Sequence, residues 1–229
     1  MDEFGCKGGD GPSNRAPTIP AEPGSVLEFR DSEDEPLDPE QQTQYRFGVG
    51  ILLHMMRWNR PNVLNAVREL STHMQQGSKM VLKAMIRVMN YIVSTKELGY
   101  TFKPDSFGQW DGKRGTRKFK MLRRCDSEYT KHSSRHSVNA GITYLEGAIV
   151  NQFSKMMPIV ALSTTEAELY SAVLTAQDMM FVYHILKGFG HEIELPMLFL
   201  CDNKGTVDLV NNWSVGGGTG HVDVKQNYP

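Results

Sequence analysis

The sequence has few of the features that mark secreted and membrane proteins. Only three of its 229 residues are cysteines. Cys6 lies in a glycine-rich segment, and Cys125 and Cys201 each end a strand-like run, a spacing typical neither of a zinc site nor of a disulfide framework. The chain shows no basic-then-apolar segment at its start and no run of about 18 apolar residues. We therefore expect an intracellular protein in a reducing compartment, with no membrane partner.

The chain also lacks a marked excess of charge of one sign. Lysine and arginine number 25, and aspartate and glutamate number 26, so the overall charge indicates no class of partner. Apolar residues make up 40% of the chain, which is enough for a hydrophobic core. At this length we expect one ordinary domain, or a small helical segment followed by one domain.

Residues 1–41 contain few large apolar side chains. This stretch holds six of the eleven prolines and an acidic run from Glu28 to Glu40. Such a composition buries too little apolar surface to offset the conformational entropy that is lost on ordering. The sequence therefore predicts a disordered, acidic and proline-rich linker over residues 1–41.

Residues 42–97 show the three- and four-residue spacing of apolar side chains that is typical of amphipathic helices. The first helix ends near Trp58, and Pro61 suits the first turn of the second. The apolar stripes of the second and third helices are Val63, Ala66, Val67 and Leu70, and Val81, Met85, Val88 and Ile92. Three such helices predict a small helical bundle.

Residues 98–229 alternate between strand and helix patterns, which predicts a mixed α/β (α+β) fold. A capping box from Ser163 to Glu166 opens a long helix that ends near Lys187, and a continuous apolar run near residue 200 is typical of a fully buried strand. Three antiparallel strands, extended by a parallel one through a helical crossover, predict a mixed sheet with flanking helices. The predicted strands are Lys118–Cys125, 137–145, 148–154 and Met197–Cys201, and a last short helix spans Lys204–Asn212.

Three acidic residues occupy positions that this topology brings together. Asp126 and Asp202 each follow a predicted strand directly, and Glu168 lies in the first turns of the long helix. Because the crossover places the two strand ends side by side, the three side chains could share one cleft. Carboxylates held so close repel one another unless a cation neutralises them, and oxygen ligands alone favour Mg²⁺ or Mn²⁺. Two such ions about 4 Å apart are a known device for hydrolysing phosphodiesters.

Each of these acids also has a structural interpretation, and the sequence alone leaves both open. An aspartate after a strand often forms a turn or caps a helix, and Asp202 precedes a short helix. Glu168 could favour the positive end of the helix dipole. Glu166 is assigned to the helix cap rather than to a metal.

A basic segment without acidic residues precedes Asp126. Phe119 lies among its cations, so the segment could follow a nucleic-acid backbone through salt-sensitive phosphate contacts. The alternative is an exposed hairpin face whose charges balance the acidic linker. The basic residues are Lys113, Arg114, Arg117, Lys118, Lys120, Arg123 and Arg124.

Several longer motifs resemble the Pol polyproteins of copia-type retrotransposons. Residues 45–62 resemble the helical region after the polymerase core of the reverse transcriptase, where Y-R-x-x-V-G-x-L-L precedes R-P-D. Four further segments match family motifs in the same order. They are 126–129 (DSEY), 160–170 (VALSTTEAELY), 201–204 (CDNK) and 220–224 (GHVDV).

The resemblance implies a ribonuclease H-like domain over residues 98–229, preceded by a thumb- or connection-like segment over residues 42–97. It also implies that Asp126, Glu168 and Asp202 are catalytic carboxylates that bind two Mg²⁺ or Mn²⁺ ions. The implied substrate is the RNA strand of an RNA–DNA hybrid, recognised by groove shape and 2′-hydroxyls. The implied partner is the remainder of a reverse transcriptase, in a cytoplasmic virus-like particle or in the nucleus.

The chain departs from the family's pattern at both ends. It contains no fingers–palm region and no Y-V-D-D motif, so no polymerase activity is expected. Beyond the position of Pro229 the family continues with a fifth strand and a helix that supplies a fourth carboxylate; Asp223 matches a helix start and not a ligand. For a domain truncated at its C-terminus in this way we expect weak or absent hydrolysis. The alternative is a catalytically dead retroelement remnant that at most binds nucleic acid.

Overall fold

The computed structural model of the chain describes residues 17–22, 27, 35–100, 118–129 and 136–212. It divides the chain into two units, Met1–Thr101 and Phe102–Pro229. Among the predicted features, the basic residues Lys113, Arg114 and Arg117 and the GHVDV motif at 220–224 lie outside the described residues. No helix in the described part of the chain is long and apolar enough to cross a membrane.

The first unit is helical. Its helices are α1 (Pro39–Trp58), a 3₁₀ turn (Pro61–Val63), α2 (Leu64–Thr72) and α3 (Lys79–Ser94). The apolar stripes predicted for α2 and α3 turn inward and pack with residues of α1, so that side chains such as Leu52 and Met85 are fully buried. Tyr45 spans this core, and its hydroxyl donates a hydrogen bond of 2.7 Å to the carbonyl of Leu70.

Helix α1 begins within the predicted linker, so the boundary expected at residue 41 is wrong by a few residues. Asp38 caps the helix by accepting a hydrogen bond from the Gln41 amide, Gln41 accepts from the Asp38 amide in return, and Pro39 occupies the first turn. Leu37 packs against the core of the first unit. The acidic, proline-rich composition that predicted disorder here is also the composition of a capped helix start.

The second unit contains a mixed sheet. Its elements are β1 (Lys118–Phe119), β2 (Met121–Glu128), β3 (Val138–Leu145), β4 (Ala148–Met156), α4 (Thr164–Gly188), β5 (Glu192–Ile193), β6 (Leu198–Leu200) and α5 (Lys204–Asn212). The main sheet has the order β4-β3-β2-β6, in which β2, β3 and β4 are antiparallel and β6 is parallel to β2. The predicted mixed α/β fold is thereby confirmed, and it is consistent with a ribonuclease H-like fold.

Local residue chemistry explains the hairpin and the helix that frame this sheet. Glu146 and Gly147 both have positive φ, as the tight turn between β3 and β4 requires. Ser163 caps α4 by accepting a hydrogen bond of 3.1 Å from the Glu166 amide, and Glu166 in turn accepts one of 2.7 Å from the amide of Leu162. The side chain of Glu166 thus serves the helix start, as predicted.

Helix α4 covers one face of β2 and β3. Alternate residues of β2, namely Met121, Arg123 and Cys125, are buried on that face. Arg123 is fully buried and pairs with Asp178 of α4 at 2.8 Å, while a Cβ added at Gly141 would come within 2.5 Å of its guanidinium. Glycine at position 141 therefore leaves the space in which this arginine lies.

Strand β6 is less buried than its apolar sequence predicts. Leu198 and Leu200 are 53% and 37% exposed, because β6 pairs only with β2 in the described part of the chain and stands at the end of the sheet. A fully buried strand needs neighbours on both sides. The prediction of a fully buried strand is therefore wrong for these two residues.

Candidate metal centre

The parallel pairing of β2 with β6 positions two of the three predicted carboxylates. Leu122, Arg123 and Arg124 are in register with Leu198, Phe199 and Leu200. Asp126 lies within β2, which runs on to Glu128, so the prediction that it directly follows its strand is wrong. If the register is continued two residues past the end of β6, Asp126 is level with Asp202. Neighbouring parallel strands lie about 4.8 Å apart, so the two acids stand side by side.

Helix α4 brings Glu168 to the same end of the sheet. Its carboxylate oxygen Oε1 accepts a hydrogen bond of 3.2 Å from the backbone amide of Ser127, directly after Asp126. One turn further along, the Ser171 hydroxyl donates a hydrogen bond of 3.0 Å to the carbonyl of Asp126. These two contacts fix the first turns of α4 against the end of β2.

Ligand atoms of Glu168, Cys201 and Asp202 lie within 4.8 Å of one another. This group is defined within the described residues, and Asp126 is not a member of it. The side chain of Asp126 is exposed, whereas its neighbour Cys125 is buried under α4. The structure thus brings two of the three predicted carboxylates into one compact group and places the third beside it.

Asp202 does not cap the helix that follows it. The cap of α5 is Asn203, whose side-chain oxygen accepts a hydrogen bond of 2.9 Å from the Thr206 amide. The carboxylate of Asp202 is therefore not used to cap α5, and it belongs to the compact group with Glu168 and Cys201.

Burial and mutual repulsion raise the pKa values of two of these acids. Neighbouring groups partly desolvate the carboxylate of Asp126, which raises its pKa, and the charge of Asp202 raises that pKa further. Burial also raises the pKa of Glu168. Interactions with the hydroxyl and the amide of Ser127 oppose this rise, and the charges of Asp202 and Asp126 add to it. All three acids therefore interact electrostatically, although only two lie in the compact group.

Glu168 has a buried carboxylate oxygen that a cation would suit. The residue is only 7% exposed, yet its oxygen Oε2 has no hydrogen-bond partner in the described part of the chain. A buried carboxylate oxygen without a partner costs free energy unless a cation or a donor compensates for it. The residues present therefore fit a divalent cation held between Glu168 and Asp202.

The sequence indicates no role for Cys125 and Cys201 at a metal site, because their spacing is typical neither of a zinc site nor of a disulfide framework. Cys201 belongs to the compact group, and its thiol forms a hydrogen bond with that of Cys125 on the neighbouring strand. The Cys125 thiol also donates a weak hydrogen bond of 3.6 Å to the carbonyl of Leu200. The signal in the sequence was the dipeptide Cys-Asp, which occurs at 125–126 and again at 201–202. The register of β2 and β6 brings the two dipeptides to the same level.

The structure separates the predicted basic segment into different environments. Lys118, Lys120 and Arg124 are exposed. The prediction that Arg123 binds nucleic acid is wrong, because its side chain is fully buried and paired with Asp178 and so cannot reach a phosphate. Arg123 and Arg124 are adjacent in the sequence, and the alternation of β2 turns the side chain of Arg123 inward and that of Arg124 outward.

The comparisons with known proteins find retrotransposon polyproteins. The chain is 29% identical over 185 residues to the retrovirus-related Pol polyprotein from transposon TNT 1-94 of Nicotiana tabacum, a match that covers 80% of the chain and 13% of that relative. It is 27% and 26% identical over 171 residues to the retrovirus-related Pol polyproteins from transposons RE1 and RE2 of Arabidopsis thaliana, each match covering 74% of the chain and 11% of the relative.

The chain thus spans 11–13% of the length of these curated relatives. No protein-family model and no solved structure matches it. The matches nevertheless cover about three quarters or more of the chain, across both of its units. The chain is therefore related to a region of the Pol polyproteins of copia-type retrotransposons, as its motifs predict.

Proposed function

We propose that the second unit hydrolyses the RNA strand of RNA–DNA hybrids, with Asp126, Glu168 and Asp202 as the residues that hold Mg²⁺ or Mn²⁺. The observation that carries this proposal is the unpartnered oxygen of Glu168, which is buried beside Asp202. A pair of such ions, when bound, activates water and stabilises the leaving oxygen of a phosphodiester.

The chain's own residues prepare this centre in three ways. The Ser127 amide orients Glu168 through one oxygen, and the other oxygen would hold a cation. Ser171 holds the backbone of Asp126 against α4. Asn203 takes over the capping of α5, so that Asp202 keeps its carboxylate for the metal.

The relatives and the exposed charge support the proposed substrate class. The chain is similar to retrotransposon Pol polyproteins, and an RNA–DNA hybrid would be recognised by its groove shape and 2′-hydroxyls rather than by base sequence. Lys118, Lys120 and Arg124 are exposed near the carboxylates in the sequence and would contact phosphates. The remainder of a reverse transcriptase is the proposed partner, in a virus-like particle or in the nucleus.

Cleavage of a labelled RNA–DNA hybrid by the purified chain tests this proposal. We expect cleavage in Mg²⁺ or Mn²⁺, none in EDTA, and a loss of at least about tenfold in Asp202→Asn and Glu168→Gln, because even residues that only support a metal ligand contribute that much. Glu166→Gln is the matched control, since it removes a charge two residues from Glu168 while an amide oxygen can still accept from Leu162. Equal cleavage by all variants would contradict the assignment.

A second candidate is a protein that binds nucleic acid without cleaving it. It is favoured by the position of Asp126 outside the compact group and by the exposed cations of β1 and β2. Salt-sensitive binding of the hybrid, with no cleavage and no effect of Asp202→Asn, would support this candidate. In that case Lys120→Ala and Arg124→Ala should each weaken binding and reduce its salt dependence by about one phosphate contact.

A further inference from the structure

We propose that Glu168, Cys201 and Asp202 form a binding site for borderline-soft divalent cations of the Zn²⁺ class, with the sulfur of Cys201 as a direct ligand. Carboxylates alone favour hard ions such as Mg²⁺, but a thiolate donor shifts the preference toward zinc and cobalt. The compact group at the end of β6 contains one such sulfur between two carboxylates.

The separation of the donor atoms fits a single small ion. The three ligand atoms lie within 4.8 Å of one another. Zinc binds sulfur at about 2.3 Å and carboxylate oxygen at about 2.0–2.2 Å, so two of its ligands can be at most about 4.5 Å apart. A small inward movement of the side chains therefore brings all three into coordination, and Cys201 and Asp202 follow the last residue of β6, where the backbone leaves the sheet.

The buried oxygen of Glu168 is the independent observation that indicates a ligand here. The residue is more than nine-tenths buried, one carboxylate oxygen accepts from the Ser127 amide, and the other has no hydrogen-bond partner among the described residues. A cation bound beside Asp202 and Cys201 would compensate for the burial of that oxygen. On binding, the Cys201 thiol gives up its proton to solvent, and the sulfur lone pair forms the bond to the metal.

Cys125 is not assigned as a ligand, because it is not a member of the compact group. Its thiol is buried under α4 and donates a hydrogen bond to the Leu200 carbonyl. The site therefore has three protein ligands, one of them sulfur, and keeps an open position for water.

This inference concerns the same end of the sheet as the proposed hydrolysis but does not rest on it. Glu168 and Asp202 would serve both sites, so zinc would compete with Mg²⁺ for them. Metal binding can be measured without any substrate. The two proposals therefore fail separately: hybrid cleavage without thiolate coordination would remove this inference alone, and thiolate coordination without cleavage would remove only the proposed hydrolysis.

Co²⁺ titration of the full chain tests the site, because coordination of cobalt by a thiolate gives a charge-transfer absorption in the near ultraviolet. The parent is Cys6→Ser, which leaves only Cys125 and Cys201 as thiols. We expect the absorption in the parent and in Cys125→Ser, its displacement by Zn²⁺, and its loss in Cys201→Ser. Glu168→Gln and Asp202→Asn should weaken Co²⁺ binding by at least about tenfold.

Absence of the absorption in folded parent protein would overturn the site, and so would its persistence in Cys201→Ser. Circular dichroism establishes that each variant is folded. If Cys201→Ser does not fold, Asp202→Asn decides the question, because it alters an exposed carboxylate. Unchanged Co²⁺ affinity in that variant would also overturn the proposal.

Discussion

At the scale of single residues, the two carboxylate oxygens of Glu168 differ. One accepts a hydrogen bond from the Ser127 amide, and the other accepts none from the described residues. Burial and the charges of Asp202 and Asp126 raise its pKa, so the folded chain holds the Glu168 proton more tightly than the unfolded chain. In the pH range above the ordinary value of 4.5, the folded state therefore binds more protons, and the free energy of unfolding contributed by this group falls as pH rises.

Glu168→Gln removes this penalty. Relative to the parent chain in EDTA, we expect the variant to gain stability as pH rises through and above 4.5, because the parent alone carries the carboxylate whose ionisation the fold disfavours. Urea unfolding at a series of pH values measures this. With Mg²⁺ added at neutral pH, the parent should become the more stable of the two proteins. The ion then neutralises the parent's carboxylates, whereas the variant lacks one of the ligands for it. A constant difference between the two proteins at all pH values would contradict the assigned cause.

Arg123 and Arg124 are adjacent residues with opposite environments. Arg123 is fully buried, pairs with Asp178 and lies over the ring of Phe153, whereas Arg124 is exposed. Arg123→Ala should cost about 2–4 kcal/mol, somewhat below the usual cost of breaking a fully buried pair because Asp178 is 30% exposed.

Arg124→Ala is the matched control and should change the free energy of unfolding by less than about 0.5 kcal/mol. Urea unfolding measures both variants. A larger cost for Arg124→Ala than for Arg123→Ala would mean that the alternation of β2 is shifted by one residue, and equal costs would contradict the buried pair of Arg123 with Asp178. The sequence did not distinguish the two arginines because burial of Arg123 depends on residues of β3, β4 and α4 that are distant in the chain.

At the scale of elements, the cap of α4 connects sequence to site. Ser163 accepts from the Glu166 amide, and this helix start carries Glu168 and Ser171. Ser163→Ala should lower the free energy of unfolding by about 1 kcal/mol. Thr164→Ala, at the next and exposed position, should have an effect below about 0.5 kcal/mol. Thermal unfolding compares the two, and equal effects would show that the Ser163 hydroxyl does not stabilise the helix.

The elements that the sequence predicts well are those with local signals. Helices α4 and α5 begin and end within a residue or so of their predicted bounds, because their caps lie within a few residues of their starts. Strands β1 and β5 were not predicted as a separate pair, since the pairing of Phe119 with Ile193 joins segments far apart in sequence. The compact group likewise required the sheet register, which no local pattern contains.

At the scale of the whole molecule, each unit carries its own core. The cluster around Leu52 lies wholly within the first unit, and the cluster around Met157 lies within the second. Leu52→Ala should therefore cost about 2–5 kcal/mol and raise amide hydrogen exchange in α1, α2 and α3. Met157→Ala should have a similar cost and raise exchange in the second unit. A uniform rise across both units in either variant would contradict the independence of the two cores.

The short pairing of β6 also constrains how the gene can change. Cys201, Asp202 and Asn203 follow one another, and only three paired residues set which of them stands level with Asp126. A frame-preserving insertion or deletion in the segment between α4 and β6 leaves that alignment intact if the loop absorbs it. One codon gained between Leu198 and Asp202 instead puts Cys201 level with Asp126, and one codon lost there puts Asn203 at that position. Either change replaces the carboxylate beside Asp126 with a thiol or an amide. We therefore expect natural length variation to be tolerated before Leu198 and absent from the four positions that follow it.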